Sequence, residues 1–277
     1  MKVVSPRTLE AALRALRDGG KDARLLAGGT DLMVELESGR TSPEIVVDLW
    51  SVAELRYARA EDGGARFGAL TTCADLLRTN ETPDVLAAAA REVGAAQIQN
   101  RATLGGNLGT ASPAADLVPV LLALGARVRL ASLRGLRELA VEEFLTGYRT
   151  TARAPDELVE SVFVPARPPN EERRVRKVGT RRAQSIAKLV VALCWTLDER
   201  GHVRALRGGA GSLAERTVRL VELERALRGQ PLDPARVRAA ARTSSARDVR
   251  PRDDVRSTAT YRRRVFERVV TALLLGG

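Results

Sequence analysis

Two glycine pairs, Gly28-Gly29 and Gly105-Gly106, most constrain what this chain can fold into. The first stands in LLAGGTDLMVELESG, where an apolar run hands over to a helix-like pattern, and the second in TLGGN, in a similar setting. Glycine admits φ > 0 and lets another group approach the backbone closely. Where a strand meets a helix, exposed N–H groups and the helix N-terminus favour an anion. AGGTD therefore offers a phosphate its backbone amides, with Thr30 as a hydroxyl donor and Asp31 placed to cap the following helix. TLGGN offers a second cradle, flanked by Thr103 and Asn107. Two cradles suit a pyrophosphate held from both sides. Two tight turns without a ligand account for the same glycines. Neither stretch is a Walker loop, because no Gly-Lys-Ser/Thr follows, and neither is GxGxxG.

Composition narrows the chemistry. A chain of 277 residues predicts two domains. No run of about 18 apolar residues marks a membrane span. The N-terminus spaces its apolar residues like a helix face broken by charge, unlike a signal peptide, so a cytoplasmic protein is expected. Cys73 and Cys194 are the only cysteines. Alone they build neither an iron–sulfur cluster nor a Cys-based zinc site, and they read as plain buried or half-buried thiols. His202, the only histidine, falls in LDERGHVRAL, a predicted hairpin turn. A Ser-His-Asp triad would depend on it, so any chemistry falls to a bound cofactor. Net charge is +11, yet only four of the 45 basic residues are lysines. The arginines are interleaved with Asp and Glu, and aromatics make up 3%. That pattern lacks a base-stacking platform and predicts no nucleic acid partner, but a basic surface partly covered by an acidic one.

Ser5-Pro6 reads as the N-cap and first position of a helix that ends at Gly19-Gly20. Strands are expected at 24–27, 45–49, 65–70, 126–131 and 157–164. Short helices are expected after Asp31, after Thr71-Thr72, over 84–93, and over 117–124 with an interruption at Pro119. Gln97–Val118 reads as one long loop of small residues, too poor in charge for a solvated linker and hence functional. PARPPNEE at 165–172 reads as the linker between domains. Beyond it lie a hairpin of 189–197 with 202–207 and helices over 214–228, 234–243 and 257–275. The last carries Tyr261, Val265, Val269 and Leu273 on one stripe.

AGGTDL at 27–32, QNRATLGGNLGTASPAAD at 99–116, ELVESVFVP at 157–165 and RKVGTRRAQSIAKL at 176–189 resemble the FAD-binding medium subunit of molybdenum hydroxylases, the xanthine dehydrogenase and carbon monoxide dehydrogenase family. The resemblance continues in order through the C-terminal part. It implies an α+β chain: a two-subdomain FAD-binding domain of PCMH type over 1–168, then a smaller α+β domain over 169–277 with a three-stranded antiparallel sheet and helices. It assigns Leu26, Ala27, Gly28, Gly29, Thr30, Asp31 and Leu32 to the pyrophosphate of FAD. Thr103, Gly105, Gly106 and Asn107 match the second pyrophosphate turn. Asp116 matches a carboxylate that bonds a cofactor hydroxyl, although an N-cap for the next helix is also a sound reading. Val159 falls where an apolar residue packs near the flavin end, and Lys177 matches a basic residue near the isoalloxazine. Val175 departs from relatives that carry an aromatic residue there.

The family's role is electron transfer from iron–sulfur clusters through FAD to an external acceptor. The implied partners are a molybdenum-cofactor large subunit and a [2Fe-2S] small subunit as separate chains, in a heterotrimer or a dimer of heterotrimers. A stand-alone flavin oxidase or reductase, and an FAD-free Arg-rich assembly module, are the alternatives. The first needs an acid or base near the flavin, and the second sits poorly with two intact glycine pairs.

Overall fold

The computed structural model describes residues 1–181 and 183–276; Arg182, within the 176–189 motif, and Gly277 lie outside it. The chain begins with β1 (Lys2–Val4), α1 (Leu9–Gly19), β2 (Ala23–Leu26), α2 (Leu32–Glu37) and β3 (Ile45–Asp48). The strands form a sheet in the order β1-β3-β2, both pairs parallel. Helix α1 turns Ala12, Leu13 and Leu16 inward, into a core with Val47 and Leu49. It starts later than Ser5-Pro6 predicts. Thr8 is the cap, its hydroxyl accepting from the Ala11 N–H, while the Glu54 carboxylate takes the Leu9 N–H at 2.9 Å. Gly20, at φ +57°, ends the helix as expected.

The second unit contains β4 (Ala58–Glu61), β5 (Gly64–Gly68), α3 (Cys73–Leu76), α4 (Asp84–Arg91), α5 (Ala96–Gln99), α6 (Leu104–Thr110) and α7 (Val118–Ala123). It continues through β6 (Arg127–Ser132), β7 (Gly135–Ala140), α8 (Val141–Phe144), β8 (Leu145–Gly147), β9 (Thr150–Thr151) and β10 (Leu158–Pro165). Strands β8 and β9 pair with each other. The others form an antiparallel sheet in the order β4-β5-β10-β6-β7. On β5, Ala65 and Phe67 enter the core. Arg66, between them, points the other way and bonds Glu61 and Glu138.

Two expectations change here. The long loop at 97–118 contains α5 and α6: Thr103 caps α6, and Leu104 and Leu108, four apart, give it a buried face. Pro119 does not interrupt α7 but sits in its first turn, where a backbone N–H has no helical acceptor to lose.

The C-terminal unit runs β11 (Glu172–Val178), β12 (Leu189–Leu197), β13 (Val203–Gly211), β14 (Val218–Arg219), α9 (Val221–Leu227), α10 (Pro234–Arg247) and α11 (Ala259–Leu275). Its sheet is antiparallel in the order β11-β12-β13-β14, three full strands and a two-residue fourth. The helix expected over 214–228 is only α9, because Val218-Arg219 pair with β13 and the Leu220 N–H bonds the Gly208 carbonyl. Helix α10 extends past Thr243 because Ser244 and Ser245 are themselves buried. Of the expected stripe on α11, Val269 and Leu273 are buried and Val265 packs against the same core, with Phe266 and Val270 beside them, while Tyr261 is exposed.

Strand β12 reads LVVALCWTL because both its faces are covered. Leu189, Val191, Leu193 and Trp195 pack with the C-terminal helices, while Ala192 and Cys194 join the core of the preceding unit. The glycines of β13 allow α7 to lie against this sheet; a Cβ on Gly209 would come within 2.1 Å of the Pro119 carbonyl oxygen. Both cysteines are buried and free, as expected. Among the described residues no helix is long and apolar enough to cross a membrane.

Candidate cofactor site

The first glycine pair lies just past the carboxyl end of β2, in a parallel sheet, where ligands of such sheets tend to bind. Gly29 has φ +78°, a conformation side chains resist. Leu26 ends the strand, and its carbonyl accepts from the Leu49 N–H. From Ala27 through Gly28, Gly29, Thr30 and Asp31 to Leu32, no backbone N–H has an acceptor among the described residues. Six consecutive free donors at the start of a helix form an anion cradle. Asp31 occupies the cap position of α2, but its exposed side chain makes no capping bond, which corrects that expectation.

The second pair is built differently. Thr103 is the N-cap of α6, its Oγ1 accepting the Gly106 N–H at 3.0 Å. The Gly105 N–H bonds the Ala69 carbonyl at 2.9 Å, and the Asn107 N–H bonds the Thr103 carbonyl. These amides are therefore occupied within the protein, and the glycines serve close approach instead. A Cβ on Gly105 would lie 2.6 Å from Ala69 Cβ. One on Gly106 would face the first loop, 3.8 Å from Ala27 Cβ, and would press on the Thr103 hydroxyl at 2.8 Å. The two glycine segments meet directly: a Cβ on Gly28 would sit 1.7 Å from the Arg101 carbonyl oxygen.

Asp116 and Lys177 pair with each other beside α4. Lys177 Nζ donates to Asp116 Oδ2 at 2.8 Å and to the Glu92 carbonyl at 2.8 Å. Asp116 is not a helix cap, since Leu117 holds that position. Burial raises the Asp116 carboxyl to about 6 despite the lysine's attraction. Burial and then the Asp116 charge push the Cys73 thiol up to about 12. Asp116 Oδ1 and Asn107 Oδ1 are buried and have no hydrogen-bond partner among the described residues. Val159 is buried in the core of the second unit. Val175, two positions before Lys177, shares its strand face and lines a small pocket with Ala88, Ala89 and Lys177.

Composition and periodicity do not single out Trp50 or Arg101. The Arg101 guanidinium stacks on the Trp50 ring at 3.6 Å, and its Nε donates to the Gly28 carbonyl at 3.2 Å. Arg56 also lies over that ring, at 4.2 Å. Only the fold brings these three positions together. Among the described residues no group of three or more His, Cys, Asp or Glu side chains forms a metal site.

The donor set fits a dinucleotide. Free amides suit phosphate oxygens, and two orphaned buried acceptors suit cofactor hydroxyls. Fold and site together define a dinucleotide-binding α+β protein built on three main sheets. Residues 1–167 match the family described as FAD binding domain in molybdopterin dehydrogenase, and residues 174–276 match the CO dehydrogenase flavoprotein C-terminal domain. The chain belongs to this FAD-binding family of the molybdopterin dehydrogenases. It is 34% identical over 277 residues to the 6-hydroxypseudooxynicotine dehydrogenase complex subunit alpha of Paenarthrobacter nicotinovorans, covering 96% of this chain and 90% of that protein. It is 31% identical to the glyceraldehyde dehydrogenase medium chain of Sulfolobus acidocaldarius, covering 95% and 93%. Its structure superposes on carbon monoxide dehydrogenase from Hydrogenophaga pseudoflava with a TM-score of 0.93, at 27% identity, covering 98% of this chain and 94% of that one.

Proposed function

We propose that this chain is the FAD-bearing electron-transfer subunit of a molybdenum-containing hydroxylase or dehydrogenase complex, with its domains divided near residue 168. The observation that carries the reading is the run of unpaired N–H groups from Ala27 to Leu32, packed against the second glycine segment. Leu26 leads into the cradle, and Ala27, Gly28, Gly29, Thr30, Asp31 and Leu32 would hold the pyrophosphate. Thr103, Gly105 and Gly106 keep the facing wall close, and Asn107 and Asp116 would accept from cofactor hydroxyls. Lys177 fixes Asp116 and keeps positive charge near the flavin end, with Val159 as its apolar backing. Bound FAD takes up electrons singly and releases them as a pair, which suits a relay between iron–sulfur clusters and an external acceptor.

Relatives named as a complex subunit and a medium subunit support partners on separate chains, a molybdenum-cofactor large subunit and a [2Fe-2S] small subunit. A heterotrimer, or a dimer of heterotrimers, in the cytoplasm is the assembly this reading predicts. Purification from the native host, followed by a visible spectrum and native mass measurement, tests it. Flavin with iron–sulfur absorbance and two further chains is the expected result. A colourless chain that purifies alone overturns it.

A further inference from the structure

Among the described residues, one edge of the C-terminal sheet has no strand beside it. In the order β11-β12-β13-β14, the long strand β11 is outermost. A cleft of about 560 Å³ runs along Arg173–Arg176 of this strand, between α4 and α11. Its walls are apolar, with Val85 and Ala88 from one helix and Val269 and Ala272 from the other. The mouth is basic. Arg176 and Arg268 are exposed and have no carboxylate within ion-pair distance among the described residues. Arg174 is held in place, its guanidinium donating to the Leu273 carbonyl at 2.7 Å and lying 5.3 Å over the Trp195 ring. Asp84 is the only acid in the lining, and Arg167 lies 3.9 Å from it.

We propose that this cleft docks an extended acidic segment of a partner subunit, which adds to β11 as an outer strand. The proposal rests on the electron-transfer reading, since it names where a second chain of that complex attaches. An open strand edge presents a row of main-chain donors and acceptors, the surface that strand addition uses. The apolar walls take alternate side chains of the added strand, and the arginines select for carboxylates. A second copy of this chain is a poor occupant, because two β11 edges would bring arginine against arginine.

Amide hydrogen exchange of the intact complex, compared with the separated subunit, tests the inference. Those backbone amides of Arg173–Arg176 that point away from β12 are expected to exchange at least ~10-fold more slowly in the complex. The double variant Arg176→Glu/Arg268→Glu, still binding FAD at the wild-type ratio, is expected to lose its partner at a salt concentration that the wild-type complex survives. Equal exchange in both states, or unchanged retention of partners by the charge-reversed variant, overturns the proposal. So does a dimer of the isolated chain that protects β11. A wild-type chain that purifies with FAD but no partners at all overturns the complex reading itself.

Discussion

Asp116 and Lys177 form a 2.8 Å ion pair between the segment that follows the second glycine pair and the first strand of the C-terminal sheet. Both side chains are largely buried, at 14% and 7% exposure, so neither charge is screened by water. Burial raises the Asp116 carboxyl above its ordinary range to about 6. A raised carboxyl favours the fold while it carries its proton. That contribution is complete below the ordinary carboxylate range and fades as pH rises through about 6. Lys177→Met removes the attraction that opposes burial and moves the carboxyl higher still. The variant is expected to lose about 3–5 kcal/mol near pH 8, where Asp116 would be a buried unpaired charge. It should lose clearly less at pH 5, where the carboxyl is protonated. Thermal melts at the two pH values check this, and an equal loss at both would contradict it.

The glycines divide by what surrounds them. Gly28→Ala drives a Cβ into the Arg101 carbonyl and forces the two segments apart, an overpacking cost of about 1–3 kcal/mol with weakened FAD retention. Gly106→Val displaces the capping hydroxyl of Thr103 and fills the space facing Ala27, so flavin content should fall sharply. At Gly109, also in α6, a Cβ would meet nothing within 4 Å among the described residues. Gly109→Ala should leave FAD content unchanged and stabilise the helix by roughly 0.5–1 kcal/mol. Flavin-to-protein ratios and melting temperatures of the three variants separate a cradle from a general intolerance of substitution.

The bend at Gly28-Gly29 was legible because strand, glycine pair and helix are adjacent in sequence, and their local preferences agree. The helix α6 was not. Its glycines and asparagine argue for a loop, and only Thr103 capping it and the burial of Leu104 and Leu108 hold it helical. Val218-Arg219 read as helix for the converse reason. A helical period is visible there, but pairing with β13 and the Arg219–Glu224 ion pair take those residues into the sheet. The Asp116–Lys177 pair and the Arg101–Trp50 stack join residues far apart in sequence, and no local pattern announces such contacts.

Cys73 and Cys194 are inert as thiols. Burial pushes each up to about 12, and thiol chemistry needs the thiolate. The native protein at pH 8 is expected to resist maleimide for hours, and denaturant should expose two labelling sites. Rapid modification of either cysteine in the native state would show that the core around α3 or β12 opens.

Arg101 lies beside the free amides. Its ring stack and its bond to the Gly28 carbonyl place the guanidinium at the loop. A pyrophosphate bound at Ala27–Leu32 would therefore meet neutral amide donors and one positioned positive charge. Arg101→Gln keeps hydrogen-bonding capacity but removes that charge, so FAD affinity should fall by roughly 1 kcal/mol, about five-fold, and become less sensitive to salt. Trp50→Leu should weaken binding less, because the charge stays while its platform goes. Titration of the flavin-free protein with FAD at two ionic strengths measures both effects. Equal affinity and equal salt slope in Arg101→Gln would show that the guanidinium faces away from the cofactor.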